Sequence, residues 1–273
     1  MPTIRNVESL NDPELQPYRT LRRPLDHIHA GIFVAEGEKV VRRLLDSGIT
    51  IISLLTTQQW AKQLLSSYNF DDRHSTTIFT AEKKILETIV GFHLHQGIMA
   101  VGKVPQECSL QQTFSYVSKP ALFAAIDGLM NAENVGVLVR NCVAFGVGAI
   151  IVGESSSSPY LRRAVRNSMG TVFQIKVIHS NNLAETLSTL NKEFNTNIVA
   201  TQPEGSVSID RVNVRDNVCL VFGSEGTGIS QKVIDVCTNR VSIPMMNDID
   251  SLNVASASAV ILYEVRKQRQ TIS

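Results

Sequence analysis

The chain has 273 residues, is 43% hydrophobic and 19% charged, and carries a formal net charge of +1. That length is enough for two domains of ordinary size, and the composition excludes a disordered chain. The charge balance neither demands nor excludes an anionic partner, so a nucleic-acid binder of this kind needs a local basic patch.

The four cysteines, Cys108, Cys142, Cys219 and Cys237, stand singly, with no C-x-x-C pair or Cys/His cluster at a zinc spacing. Reduced thiols in a cytoplasmic protein, with no metal, are the simplest reading. The N-terminal stretch has no apolar h-region, no segment is long enough to cross a bilayer, and no solenoid period is present.

Taken in order, residues 1–105 read as a first α/β unit. Ile32–Ala35 is a strand signal, Glu38–Leu45 a helix, Ile49–Leu55 a buried strand and Trp60–Tyr68 a helix. Thr76–Phe79, Ala81–Val90 and Ile98–Val104 follow as strand, helix and strand. Such alternation predicts a mixed or parallel sheet covered by helices.

Arg19, Arg22, Arg23, Lys39, Arg42 and Arg43 lie close in sequence around the first of these strands. A phosphate backbone would want such a cluster. Composition alone favours a solvated helix face, because Asp26, Glu36 and Glu38 are interleaved. Phe33, Trp60 and Tyr68 have the chemistry to stack bases, but their spacing reads as core. His27 with His29, and His93 with His95, would each share a face on a strand. With no third ligand beside them they read as solvated or core histidines.

Residues 106–119 form a polar connector with little periodicity, read as a linker that Pro120 closes. The second unit, 120–273, opens with the wholly apolar run Ala121–Ile126, typical of a central parallel strand. Asn131 is placed to cap a helix running to about Phe145, with Gly146 at its end. Ala149–Gly153 is a buried strand and Tyr160–Met169 a basic helix with Arg162, Arg163 and Arg166. Phe173–Ile178, Leu183–Phe194 and Asn197–Thr201 read as strand, helix and strand.

Val218–Phe222 is a further buried strand that runs into Gly223-Ser224-Glu225-Gly226-Thr227-Gly228. This is neither the G-x-G-x-x-G dinucleotide pattern nor a Walker loop, and a structural turn is as good a reading as a ligand site. Near the end, Ser242-Ile243-Pro244-Met245 reads as the close of a buried strand, Met246–Asp250 as a loop, and Ser251-Leu252-Asn253 as the opening of a helix. Val254, Ala257, Ile261 and Val265 recur there at helical spacing, and Ser251 or Asn253 is the candidate cap. A strand, a loop and a helix start is where open α/β sheets hold ligands.

Three stretches together carry a resemblance. They are N-x-G-x-x-x-R at Asn134, Gly136 and Arg140, F-G-S-E-G-x-G at Phe222–Gly228, and I-P-M followed by S-L-N-V within Ile243–Val254. In content, order and spacing they resemble the motifs of the SpoU/TrmH family of RNA 2′-O-methyltransferases. The likeness covers the second unit and extends faintly to Phe33–Gly37 in the first.

The resemblance implies a small N-terminal α/β substrate-binding domain and a C-terminal α/β domain with a deep trefoil knot. Knots break the usual topology rules, so no pattern of residues would predict one. It implies S-adenosylmethionine as cofactor, bound at Gly223, Gly228, Ile243, Met245 and Leu252. It gives Arg140 the activating role toward a ribose 2′-hydroxyl, as base or as a clamp on phosphate and developing alkoxide, with Asn134, Glu225, Ser251 and Asn253 around it. It also implies a homodimer and an RNA substrate, with ribosomal RNA ahead of transfer RNA by fold-level analogy, and the basic residues Arg22, Arg23, Arg42 and Arg166 are the candidates to bind that RNA.

Two positions depart from the family pattern. Asn247 stands where glycine is frequent, and Ala255 where serine is common, which predicts the loss of a hydroxyl contact near the cofactor. Two rivals are an RNA-binding protein that kept the fold without the chemistry, and a nicotinamide-dependent oxidoreductase. The intact polar motif residues argue against the first and the absent G-x-G-x-x-G against the second.

Overall fold

The computed structural model folds into two compact units, one of Met1–Gln106 with Tyr160–Phe173, the other of Glu107–Pro159 with Gln174–Ser273. The structure describes residues 2–7, 9, 11–68, 70, 76–91, 93, 96–203, 207–246 and 251–270. Asn247 and His95 lie outside the described residues.

In the first unit, β1 (Thr3–Asn6) precedes the short helices α1 (Gln16–Arg19) and α2 (Pro24–His29). Then β2 (Ile32–Glu36), α3 (Glu38–Leu45), β3 (Ile51–Thr56), α4 (Gln58–Ser67), β4 (Thr77–Thr80), α5 (Lys83–Val90) and β5 (Ile98–Lys103) alternate, as the apolar spacing predicts. The sheet order is β1-β4-β3-β5-β2; β1, β4 and β3 run parallel and β5 antiparallel to both its neighbours. β1 carries no alternating apolar pattern because it is an edge strand with mostly exposed side chains.

Phe33 is 1% exposed and pairs with Gly102 across β2 and β5. A Cβ on Gly102 would sit 2.4 Å from the Phe33 ring, so glycine leaves the space that the ring fills. The rings of Tyr160 and Phe173 close over Phe33 at 5.6 and 5.2 Å between centroids. Phe33 is therefore core, whereas Trp60 and Tyr68 are only half-buried.

His27 and His29 sit on α2 rather than on a strand. His27 is buried, its Nε2 3.1 Å from both the Thr20 hydroxyl and the Pro17 carbonyl, while His29 is exposed. Among the described residues no group of His, Cys, Asp and Glu is placed to hold a metal, and no helix is long and apolar enough to cross a membrane.

In the second unit the expected linker is structured. α6 (Leu110–Tyr116) is held by a capping box between Ser109 and Gln112. Phe114 packs on Phe123 and Phe194 with centroids 6.1 and 4.6 Å apart. One apolar turn among polar residues leaves almost no periodicity, yet the partly buried Leu110 and Phe114 pack it against the core.

The unit continues with β6 (Leu122–Asp127), α7 (Ala132–Ala144) and β7 (Ala149–Val152). The chain then passes through α8 (Arg162–Asn167), which groups with the first unit, and returns with β8 (Lys176–His179), α9 (Leu183–Phe194) and β9 (Asn197–Thr201). β8 begins later than its apolar run predicts, because Thr171–Gln174 forms a 3-10 turn. β10 (Val207–Ser208), β11 (Val218–Gly223), α10 (Gln231–Ile234), β12 (Asn239–Ser242) and α11 (Val254–Gln270) complete it.

The seven strands lie in the order β10-β12-β9-β11-β6-β7-β8, and every pairing is parallel. Parallel strands covered on both faces read as unbroken apolar runs, which is why β6 and β11 were legible. β12 ends at Ser242, so Ile243 and Pro244 already belong to the following loop. α11 is fixed at its far end by Arg269, which donates to the carbonyls of Pro120, Val214 and Asp216 at 2.8, 3.0 and 2.6 Å.

All four cysteines are free thiols. Burial pushes the Cys142 and Cys219 thiols far up, and that of Cys237 to about 11. The thiolate is the reactive form. A native-state titration with a thiol reagent at pH 8 is therefore expected to modify Cys108 first. Cys142 and Cys219 should react only after denaturation.

Candidate active site

The site grows from the carboxyl ends of β9, β11 and β12, which are neighbours in the parallel sheet. Parallel neighbours release their following loops on the same edge, so loops far apart in sequence meet there. Here they enclose a cavity of about 480 Å³, within the range of small-molecule sites. Its wall includes Thr201 and Gln202 at the end of β9, Gly223–Gly228 from the last residue of β11 onward, Ile243 and Met245 after β12, and Ser251–Val254 at the start of α11.

The glycine loop is a closed turn. Ser224 N–H donates to the Gly228 carbonyl at 3.0 Å, and Gly228 N–H donates back to Ser224 at 3.1 Å. The Ser224 hydroxyl accepts from Thr227 N–H at 3.1 Å. A Cβ on Gly223 would lie 2.3 Å from the Gly228 carbonyl carbon, so only glycine lets the strand end abut the turn. The two readings of this loop are thus one: a tight structural turn that also lines the cavity.

Asn253, not Ser251, caps α11, accepting from Ala255 N–H at 2.9 Å. That fixes its amide the other way round, with Nδ2 donating to the Glu225 carboxylate and lying 3.4 Å from Asn134 Oδ1. Asn134, Glu225 and Asn253, from three separate motifs, are therefore one hydrogen-bonded group at the cavity rim. Asn141 ties α7 to α11 by donating to the Ala255 carbonyl at 2.8 Å and the Ser258 hydroxyl at 2.9 Å. Nothing but its place beside Arg140 marks Asn141 in the sequence.

Gly223, Gly228, Ile243, Met245, Ser251 and Leu252 all line the cavity. Arg140 does not. It stands exposed on α7, and among the described residues no side chain pairs with it. Arg22, Arg23, Arg42 and Arg166 belong to the other unit. Ala255 is buried and its carbonyl serves Asn141, while Val254 and Ala257 face the cavity. The hydroxyl contact expected from a serine at 255 therefore has no place in the cavity wall. Thr201, Gln202 and Pro203 join that wall without any sequence motif. The carboxyl end of a buried parallel strand is the one signal that marks them.

The donor set suits a nucleoside with a charged tail. Phe222, Val241, Ile243, Leu252 and Ile261 give an apolar wall, loop backbone supplies hydrogen bonds, and Glu225 with Ser251 supplies polar contacts.

Residues 121–263 match the SpoU rRNA Methylase family. The chain belongs to the SpoU rRNA methylase family. It is 30% identical over 272 residues to the "uncharacterized tRNA/rRNA methyltransferase" of Mycobacterium bovis, an alignment covering 96% of this chain and 91% of that one. It is 32% identical over 193 residues to the 23S rRNA (guanosine-2′-O-)-methyltransferase RlmB of Acinetobacter baylyi, covering 69% and 77% of the two chains. Among solved structures, the AdoMet-bound rRNA methyltransferase from Sinorhizobium meliloti superposes with a TM-score of 0.80 at 25% identity, covering 97% of this chain and 98% of that one. This SpoU-family protein is an RNA methyltransferase with the two-unit α/β architecture expected from the motifs.

Proposed function

We propose that this SpoU-family enzyme methylates a ribose 2′-hydroxyl of RNA, ribosomal RNA ahead of transfer RNA, using S-adenosylmethionine. The observation that carries the reading is the meeting of the second and third motifs around one cavity, with Asn134 of the first motif joined to Asn253, and Asn253 to Glu225, at its rim. S-adenosylmethionine supplies a methyl group already activated on a sulfonium. Gly223, Gly228, Ile243, Met245 and Leu252 would hold it, chiefly by backbone and apolar contact.

What remains for the protein is to position the hydroxyl and stabilise the charge left as its proton departs. Arg140 is assigned that role. A guanidinium stays protonated across the working pH range, so we assign it as the clamp on phosphate and developing alkoxide rather than as the base. Its exposure, and the lack of a partner side chain among the described residues, leave its donors facing solvent.

The Glu225–Asn253–Asn134 group yields a test of its own. In Asn253→Asp the helix cap survives, because aspartate caps as well as asparagine. The donor toward Glu225 is replaced by a second carboxylate. Thermal stability is expected to change little, whereas turnover at pH 7 falls about 10–100-fold. The loss should shrink as pH falls, because two facing carboxylates raise each other's proton affinity and the pair that shares one proton again has a donor between them.

The knot and the homodimer are part of this proposal. Exposed apolar side chains on α11 and beside the cavity, Val260, Tyr263, Met246 and Leu252, support self-association. Sedimentation should give twice the chain mass. Free thiols support a reducing, cytoplasmic setting. The RNA-binding role falls to the first unit. It carries 15 Lys and Arg against 11 Asp and Glu, whereas the second carries 11 against 14.

The direct test is transfer of labelled methyl from S-adenosylmethionine to unmodified ribosomal and transfer RNA, followed by alkaline hydrolysis. Ribose methylation removes the nucleophile that alkali needs, so label must appear in alkali-resistant dinucleotides. Label in mononucleotides would mean base methylation and would sink the 2′-O reading.

A further inference from the structure

We infer that Trp60 and Arg42 in the first unit form a stacking site for one unpaired nucleobase of the RNA, with exposed Lys39 and Arg166 adding positive charge to the same unit. The inference rests on the RNA-methyltransferase reading and adds where, and by what chemistry, the substrate is gripped.

Trp60 stands on α4 at the surface, half-buried. Its ring N–H is already satisfied by the Gln96 carbonyl, so the indole is fixed by its edge. The Arg42 guanidinium lies 5.7 Å from the indole centroid. Arg42 is itself held on both sides, by Glu38 at 3.0 Å and by the Tyr68 hydroxyl, and these bonds raise its already high pKa. An indole and a guanidinium, each locked by other bonds and each with exposed area, form a prepaid platform for a third flat group. Base–aromatic stacking tolerates any sequence, because every base has a π-face, and it requires an unpaired base.

The surroundings supply the charge. Lys39 is exposed on the same helix as Arg42. On the other side of α3, Arg43 donates to the Met169 carbonyl at 2.6 Å, which brings the α8 segment alongside. Arg166 of that segment is 58% exposed and stands 3.7 Å from Glu36, which Arg162 also engages at 2.7 Å. One carboxylate thus serves two arginines, and the patch keeps a positive excess. Helix α3 is flanked by a stacking pair on one side and basic side chains on the other, the combination that single-stranded RNA binders use.

Trp60 is the single tryptophan in the chain, so its emission reports on this site alone. Full-length protein would be titrated with a single-stranded oligoribonucleotide, with total binding followed separately by anisotropy of a labelled copy. Saturable quenching with the same midpoint as binding is expected, and inorganic polyphosphate should not reproduce it. Trp60→Leu should weaken RNA binding about tenfold and raise KM for RNA with kcat unchanged, and Trp60→Phe should restore most of the loss. Both variants lose the bond to the Gln96 carbonyl and should melt somewhat lower but still cooperatively, and both should keep the wild-type S-adenosylmethionine affinity.

RNA binding without quenching, or an unchanged affinity in Trp60→Leu, overturns the stacking site. If methyl transfer to the same RNA continues in that case, the methyltransferase reading stands and the inference alone falls. Absence of both binding and transfer removes both.

Discussion

Arg140→Ala is expected to lower methyl transfer by about 10²–10³-fold, the scale of deleting one preorganised charge that stabilises a developing anion. Binding of S-adenosylmethionine should not change, because Arg140 is outside the cavity wall. Nor should the melting temperature, because the side chain is exposed and pairs with no described side chain. Arg140→Lys separates the roles further. Lysine keeps the charge but not the planar fork, so partial activity would indicate a point-charge contact and near-complete loss a bidentate clamp. Calorimetry for the cofactor beside single-turnover transfer makes the measurement. Wild-type transfer in Arg140→Ala would remove Arg140 from the chemistry.

Gly223→Ala has the second large effect, for the opposite reason. The new methyl would lie 2.3 Å from the Gly228 carbonyl carbon and 2.5 Å from its oxygen. Both are backbone atoms of a turn closed by two hydrogen bonds, and the strand leading to it is fully buried. Neither side can give way cheaply. Overpacking of this kind costs about 1–3 kcal/mol, which is roughly 3–10 °C in melting temperature for a domain of this size. Cofactor affinity should fall at least about tenfold, since the displaced turn is itself the cavity wall. Gly226→Ala is the internal control. A Cβ there meets nothing within 4 Å, so its melting temperature is expected to stay within about a degree of wild type. Equal destabilisation by the two changes would show that flexibility, not close approach, explains the glycines.

Much of the fold was legible because burial is two-sided. β6 and β11 read as unbroken apolar runs since helices cover both faces of the parallel sheet. α3 and α9 declared themselves by a stripe at helical spacing. What escaped was short or on an edge. β1 is exposed, α10 spans a single turn, and α6 rests on little more than the ring of Phe114. The spacing of Trp60 predicts core, because spacing tells which face a residue occupies and not whether anything covers it.

The sequence by itself determined the class of chemistry. Asn134 with Arg140, the turn Phe222–Gly228, and the pair Ile243-Pro244-Met245 and Ser251–Val254 are local patterns, each legible within its own segment. Only the tertiary structure decided which of those residues meet. Asn253 uses its oxygen to cap α11, and that choice turns its amide to Glu225 and Asn134, 28 and 119 residues away in the chain. Likewise only the fold carried the segment Tyr160–Phe173 into the basic unit, over the ring of Phe33. Hydrogen-bond direction and long-range packing depend on where distant segments come to rest, and spacing along a chain holds no record of that.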